Sequence, residues 1–150
     1  MAISRVAGTE ILRSAHFEHV NGTAQRDLIV GVQHHIYTIL SIIIHADTVA
    51  AVTDTIQIVL LGYDSFGGTS AQDIRILRKV LPDDETFCWN ERISFSGFEP
   101  TNFSGPMDDA TKQYAIADQG SGVAQKLKFA ASNASSYYDV FISFIDQNNA

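Results

Sequence analysis

Runs in which β-branched and aromatic residues alternate with polar ones at period two dominate this sequence, broken by clusters of Gly, Pro, Asn, Asp and Ser. Spacing of two puts alternate side chains on opposite faces of a strand, whereas a helix needs apolar residues three and four apart. In residues 137–145, Tyr138, Val140, Ile142 and Phe144 alternate with Tyr137, Asp139, Phe141, Ser143 and Ile145, giving one apolar and one mixed face. Ile56, Ile58 and Leu60 alternate with Thr55, Gln57 and Val59 in the same way. Lys126 and Lys128 flank Leu127, which shares a face with Phe129 and Ala131, the pattern of a half-exposed antiparallel strand. Further strands are expected over residues 28–32, 36–46, 73–81, 86–95 and 112–117.

That makes about eight strands, with no run of helical spacing to supply the crossovers a parallel sheet needs. The expected fold is therefore all-β, an antiparallel β-sandwich of jelly-roll type, in a single domain over residues 1–150. A chain of 150 residues buries roughly 70% of its unfolded surface and needs no disulfide staple. Only residues 7–20 show any helical spacing, through Ala7, Ile11, Leu12 and Ala15, and an extended N-terminal arm over residues 1–20 fits that segment equally. No fixed-period repeat or low-complexity tract interrupts the pattern.

Charge excludes some partners. Ten Lys and Arg against seventeen Asp and Glu give −7, which repels a phosphate backbone, so nucleic acid is not an expected partner. The one basic cluster, Arg75, Arg78 and Lys79, lacks interleaved stacking aromatics and reads as a solvated strand edge. Only 18% of residues are charged against 45% hydrophobic, which leaves surface for protein contacts. Residues 36–46 are the longest apolar stretch, interrupted by Tyr37, Thr38, Ser41 and His45 and far short of the roughly 20 residues that span a bilayer, so no membrane partner is expected. The N-terminal residues show no apolar core of a secretory leader. The acceptor triplets at Asn21, Asn102 and Asn133 are taken as chance matches.

Candidate chemistry is sparse. Cys88 stands alone, allowing neither an intrachain disulfide nor a cysteine-rich zinc site, and its neighbours Phe87 and Trp89 suggest core packing. Adjacent His34 and His35 point to opposite faces of a strand, His16 and His19 lack the Glu and third ligand of a zinc hydrolase, and His45 has no partner in the pattern. The clustered histidines of a cupin are absent. Residues 82–85 and 107–109 carry consecutive aspartates, which diverge on a strand and after Pro82 signal a turn before a cation site. Gly120, Ser121 and Gly122, and likewise Ser65 after Tyr63 and Asp64, lack the spacing of a nucleophile elbow and read as turns. No glycine motif cradles a phosphate. No catalytic, cofactor or metal residue is assigned, and the chain is expected not to be an enzyme.

Two long loops are expected, residues 62–70 around Gly67 and Gly68, and residues 97–111 with Pro100, Gly105 and Pro106. The second carries Phe98, Phe103 and Met107, rings and a thioether that either dock on a partner or cap the sandwich's own end.

Residues 36–46, a short turn and residues 55–60 resemble the paired strands that open many small structural proteins of tailed bacteriophages. Residues 81–89, Leu-Pro-Asp-Asp-Glu-Thr-Phe-Cys-Trp, are similar to the proline-led strand of those proteins, and residues 127–132 with 138–145 look like their closing hairpin. The resemblance covers about two thirds of the chain and rests on alternation and turns, so it carries no site residue across. It implies a virion component, foremost a capsid decoration (cement) protein bound to the major capsid protein, or else a neck, tail or spike part, often a homotrimer. On that implication the contact with the shell uses an arm, with Ile3, Val6, Ile11, Leu12 and Phe17, and a docking loop, with Phe98, Phe103 and Met107. The residues themselves point to assembly too. Residues 36–46 are apolar on both strand faces, and Tyr137, Phe141 and Ile145 give the last strand a second apolar face, so each asks for a cover beyond the partner sheet. A lectin-like module on the same architecture is the further alternative, with Trp89, Tyr63, Phe98 and Phe103 as its candidate aromatics.

Overall fold

The computed structural model describes residues 9–21, 23–64, 69–98 and 123–148. These form nine strands: β1 (Thr9–Asn21), β2 (Arg26–Val30), β3 (His35–Thr48), β4 (Thr55–Asp64), β5 (Thr69–Val80), β6 (Thr86–Trp89), β7 (Ile93–Ser96), β8 (Lys126–Ala131) and β9 (Tyr137–Asn148). One sheet, here sheet A, has the order β1-β9-β3-β6, with β7 also on β3; sheet B has the order β2-β8-β4-β5. All pairings are antiparallel, and no helix occurs among the described residues.

β6 and β7 lie in line along β3, the first opposite Ile42–His45 and the second opposite Ile36–Ile39, so together they act as one interrupted strand. Counted so, the first strand pairs with the last, the second with the last but one, and so inward to the β4–β5 hairpin. That nested pairing is the jelly roll expected from the sequence.

A β-bulge accounts for the two-faced apolar run in β3. Its register against β9 shifts between Ile39 and Ser41, leaving Leu40 as the extra residue. The shift turns Tyr37, Ile39, Ile42, Ile44 and Ala46 all inward, where each is buried, and leaves Ile36, Leu40 and Ile43 half-buried on the outer side. Tyr138, Val140, Ile142 and Phe144 of β9 meet them across the ladder. Sheet B supplies Ile56, Ile58, Leu127, Phe129 and Ala131 to the same core, and Phe129 meets Tyr138 edge to face at 5.7 Å between the sheets.

One end of the sandwich is pinned where two glycines meet. Gly31, after β2, donates to the Gln125 carbonyl at 2.8 Å; Gly97, after β7, donates to the His35 carbonyl at 2.7 Å and accepts from Gln125 at 2.9 Å. A Cβ on Gly31 would collide with the Gly97 carbonyl, and one on Gly97 with the Val32 carbonyl. Only a residue without a side chain lets these backbones approach so closely.

Several expectations change. Residues 9–21 are neither an arm nor a helix but the edge strand β1, because Ile11, Ala15 and Phe17 turn inward at period two against β9. Residues 86–95 form two strands rather than one, interrupted at Asn90, Glu91 and Arg92. Cys88 is exposed instead of buried: opposite Ile43 it faces outward, while Phe87 and Trp89 on either side pack against the core. The 62–70 loop contracts, since β4 and β5 remain paired as far as Asp64 and Thr69. Residues 82–85 are the expected turn, with Asp84 at φ 59° and the Asp83 carboxylate accepting from the Val49 amide at 3.0 Å. The expected strand over 112–117, and the turns at 107–109 and 120–122, lie outside the described residues.

Candidate functional site

The outer faces of the two sheets differ in composition, although the outward Val30 and Val80 leave sheet B two exposed apolar side chains of its own. Sheet B turns Gln57, Arg75, Arg78, Lys126 and Lys128 outward, and this face is knitted by polar contacts. Arg75 Nε donates to Gln57 Oε1 at 2.9 Å, Lys128 Nζ to Gln25 Oε1 at 3.0 Å, and Gln25 Nε2 to Asp73 Oδ2 at 3.1 Å. The basic cluster is thus a solvated edge, as its composition suggested.

Sheet A instead presents Leu12, Ile36, Leu40, Ile43, Phe141 and Ile145, because the alternation that points Val140, Ile142 and Phe144 inward leaves apolar residues on the outward positions as well. Leu12 is 69% exposed and Phe141 37%. His16, Phe141, Ile43 and Cys88 lie in one row across four strands. His16, Ile43, His45, Asp139 and Phe141 line a depression of about 300 Å³ there. Polar groups rim it: His45 Nδ1 shares a hydrogen bond with Thr86 Oγ1 at 2.8 Å, and Asp139 Oδ1 accepts the His19 amide at 2.9 Å. His19 itself takes a left-handed φ of 55° in the bulge of β1 and stacks on Tyr137 at 3.9 Å. Ile43 and Phe141 thus form an apolar floor, and His16, His45 and Asp139 a polar rim.

A second concavity, of about 330 Å³, opens between β1 and β2, where the two sheets part. Its polar end is the buried Asp146, which accepts from Arg13 Nε at 2.9 Å and from His35 Nδ1 at 2.6 Å. Both carboxylate oxygens are engaged, so Asp146 holds the Arg13 guanidinium and the His35 imidazole in place.

The third polar cluster ties together the turns that precede β4 and β9. Asp54 accepts from the Ser136 hydroxyl at 2.6 Å, from the Ala51 amide at 3.0 Å and from Asn133 Nδ2 at 3.4 Å. The Ser136 bond holds the Asp54 carboxyl below the usual carboxylate range against the opposing pull of burial. Ser136 and Asp54 are a hydroxyl beside a carboxylate, yet the hydroxyl is buried, donates into Asp54 and accepts from the Ala50 amide at 3.0 Å. No substrate atom reaches it, and the cluster braces two turns. Beside it the Tyr138 hydroxyl is buried with no hydrogen-bond partner among the described residues. Burial pushes that phenol up, Ser136 opposes the rise and the Asp54 charge adds to it.

Among the described residues no three His, Cys, Asp or Glu side chains converge as a metal site, and no helix is long and apolar enough to cross a membrane. Of the residues expected to contact a partner, Ile11, Leu12 and Phe17 stand on β1, and of these only Leu12 is exposed. Phe98 is half-buried and bridges to Ala124. Ile3, Val6, Phe103 and Met107 lie outside the described residues. Trp89 packs against the core and offers no sugar platform. The outward set on β1, β3 and β9 was missed as one surface because the neighbours across a sheet come from distant parts of the chain.

No family model matches the chain, and no curated relative matches it. A solved structure of Bacillus endospore appendages, a family of disulfide-linked pili, is similar at 10% identity over 100% of this chain and 97% of that one, with a TM-score of 0.48. A likeness of that degree decides nothing about this chain's role.

Proposed function

We propose that this chain is a non-enzymatic structural protein that works by docking the outer face of sheet A on another protein. One observation carries the reading: on the larger sheet outward apolar residues oppose one another across neighbouring strands, Leu12 with Ile145 and Phe141 with Ile43, while on the smaller sheet the outward Val30 and Val80 stand apart among Gln57, Arg75, Arg78, Lys126 and Lys128. Contiguous apolar surface rimmed by polar groups is how soluble proteins mark a contact. In its finer form the proposal is a capsid decoration protein, with the major capsid protein as the surface docked upon; the support for that is the resemblance of its strand pairs to phage structural proteins.

The test is binding to purified capsid shells. Wild type is expected to saturate them, and Phe141→Ser with Ile43→Ser, both on the outer face, to reduce occupancy at least tenfold while the melting temperature holds. Equal occupancy of variant and wild type refutes the face. A protein that ignores shells and copurifies with tails transfers the finer reading to a neck or tail part.

A further inference from the structure

Among the described residues four edges end the two sheets, and three of them carry a device that discourages pairing with another chain. β2 is five residues long and its register shifts between Asp27 and Ile29. β6 and β7 are four residues each and interrupted between. β5 is long, but Asp73, Arg75, Arg78 and Lys79 along it are all charged and exposed. β1 bulges only after Phe17, and its exposed charges, Glu10, Arg13 and Glu18, are spaced along the strand, where β5 sets Arg75, Arg78 and Lys79 together. Its register against β9 runs unbroken from Thr9↔Asn148 to Phe17↔Val140, it contains no Lys or Pro, and among the described residues no strand lies on its other side.

We propose that this edge of β1 pairs antiparallel with β1 of a second copy of the chain, about a two-fold axis at Leu12. The edge shares Leu12 with the face assigned above, but the inference does not rest on that assignment. Side chains of one face must stay on one face across the joint, so the axis passes through a residue rather than between two. An axis at Leu12 sets Leu12 against its own copy, Ile11 against Arg13 and Glu10 against Ser14, so that no like charges meet. An axis at Arg13 opposes two guanidinium groups. One at Ser14 carries Glu10 towards Glu18, past Phe17 where the regular register ends. The Leu12 register alone brings together the most exposed apolar side chain of the strand. The pairing closes at two copies, where the phage resemblance implied three, and fuses the two larger sheets into one.

Directly opposed residues of an antiparallel pair have Cα atoms about 4.5–5.5 Å apart, within the range a disulfide spans. Leu12→Cys in a Cys88→Ser background is therefore expected to oxidise to a covalent dimer, and Ser14→Cys in the same background to give at least ~10-fold less. Light scattering of the wild type should give twice the 16.4 kDa chain mass. Leu12→Lys should give the single-chain mass with unchanged melting, and its β1 amides should exchange fast where those of the wild type exchange slowly. Phe141→Ser should keep the cross-link, which separates edge from face. A wild-type monomer overturns the inference, whether its β1 amides are fast or are slow because another part of the chain covers the edge. So does a three-chain mass, or a cross-link at Ser14 and not at Leu12.

Discussion

The core holds two tyrosines that differ in one respect. Tyr37 and Tyr138 are 3% and 0% exposed, and both rings pack against phenylalanines, Phe95 at 5.4 Å for the first and Phe129 at 5.7 Å for the second. The Tyr37 hydroxyl accepts the Val32 amide at 3.1 Å; the Tyr138 hydroxyl has no partner among the described residues. Tyr→Phe removes each oxygen and leaves each ring. At Tyr37 the loss includes the Val32 hydrogen bond, about 1 kcal/mol. The exposed Val32 backbone can turn to water, so the cost stays near that value. At Tyr138 the change removes a desolvated hydroxyl whose neighbour Ser136 already donates to Asp54 and accepts from Ala50, a relief of about 1 kcal/mol. The two variants should therefore separate by about 2 kcal/mol with opposite signs, or roughly 4–8 °C in melting temperature at this chain size. Thermal melts of Tyr37→Phe, Tyr138→Phe and wild type at pH 7, with urea midpoints alongside, measure it. A Tyr138→Phe protein that melts lower than wild type refutes the reasoning, since it would mean the hydroxyl is bonded in solution.

Asp54 should make stability acid-sensitive: its folded pKa is lowered, so its contribution is present above the ordinary carboxylate range and lost as pH falls through the folded value. Urea midpoints from pH 7 down to 2 should fall more steeply for wild type than for Asp54→Asn, and parallel curves count against the network. Gly97→Ala drives a methyl into the Val32 carbonyl and should cost more than about 3 kcal/mol, where Ser135→Ala on an exposed turn costs under about 0.5 kcal/mol, both read by urea unfolding. Removing residues 1–15 takes away the inward Ile11 and Ala15 and leaves the buried Asp146 without Arg13, which is itself 46% exposed at its side chain. The loss should lower stability by at least ~2 kcal/mol, and a truncated protein that melts like wild type would return this segment to the role of a dispensable arm.

The fold class was legible because two-residue alternation survives in the strands that matter most. Tyr138, Val140, Ile142 and Phe144 face inward as read, as do Leu127, Phe129 and Ala131 beneath Lys126 and Lys128. β1 was not legible, because Arg13 occupies an inward position and His19 breaks the period, so the strand mimics weak helical spacing until Asp146 is seen to receive the Arg13 charge. Cys88 misled through its neighbours: flanking aromatics argue for a buried segment, but in a strand the residue between two inward rings points out. The outer face of sheet A was half legible. Its apolar letters in β3 and β9 called for a second cover, yet only register places Leu12, Ile43 and Phe141 on one surface. Neither the Asp54 cluster nor the pairing of His35 with Asp146 has a sequence signature, since 82 residues separate Asp54 from Ser136 and 111 separate His35 from Asp146.

The position of β9 governs when this molecule can fold. β9 lies between β1 and β3, making the two most extensive ladders among the described residues, although it follows the other eight described strands in sequence. Until residues 137–148 leave the ribosome, β1 and β3 have no common neighbour and the inward faces of Ile39, Ile42 and Ile44 have no ladder to close over them. At 5–20 residues per second synthesis outlasts local collapse by orders of magnitude, so the nascent chain spends seconds as a row of unmatched apolar strands. Such a chain depends on being shielded during its own synthesis, and one that stops short of β9 is left with β1 and β3 open for pairing with its neighbours, a precursor of aggregate rather than a smaller version of the protein.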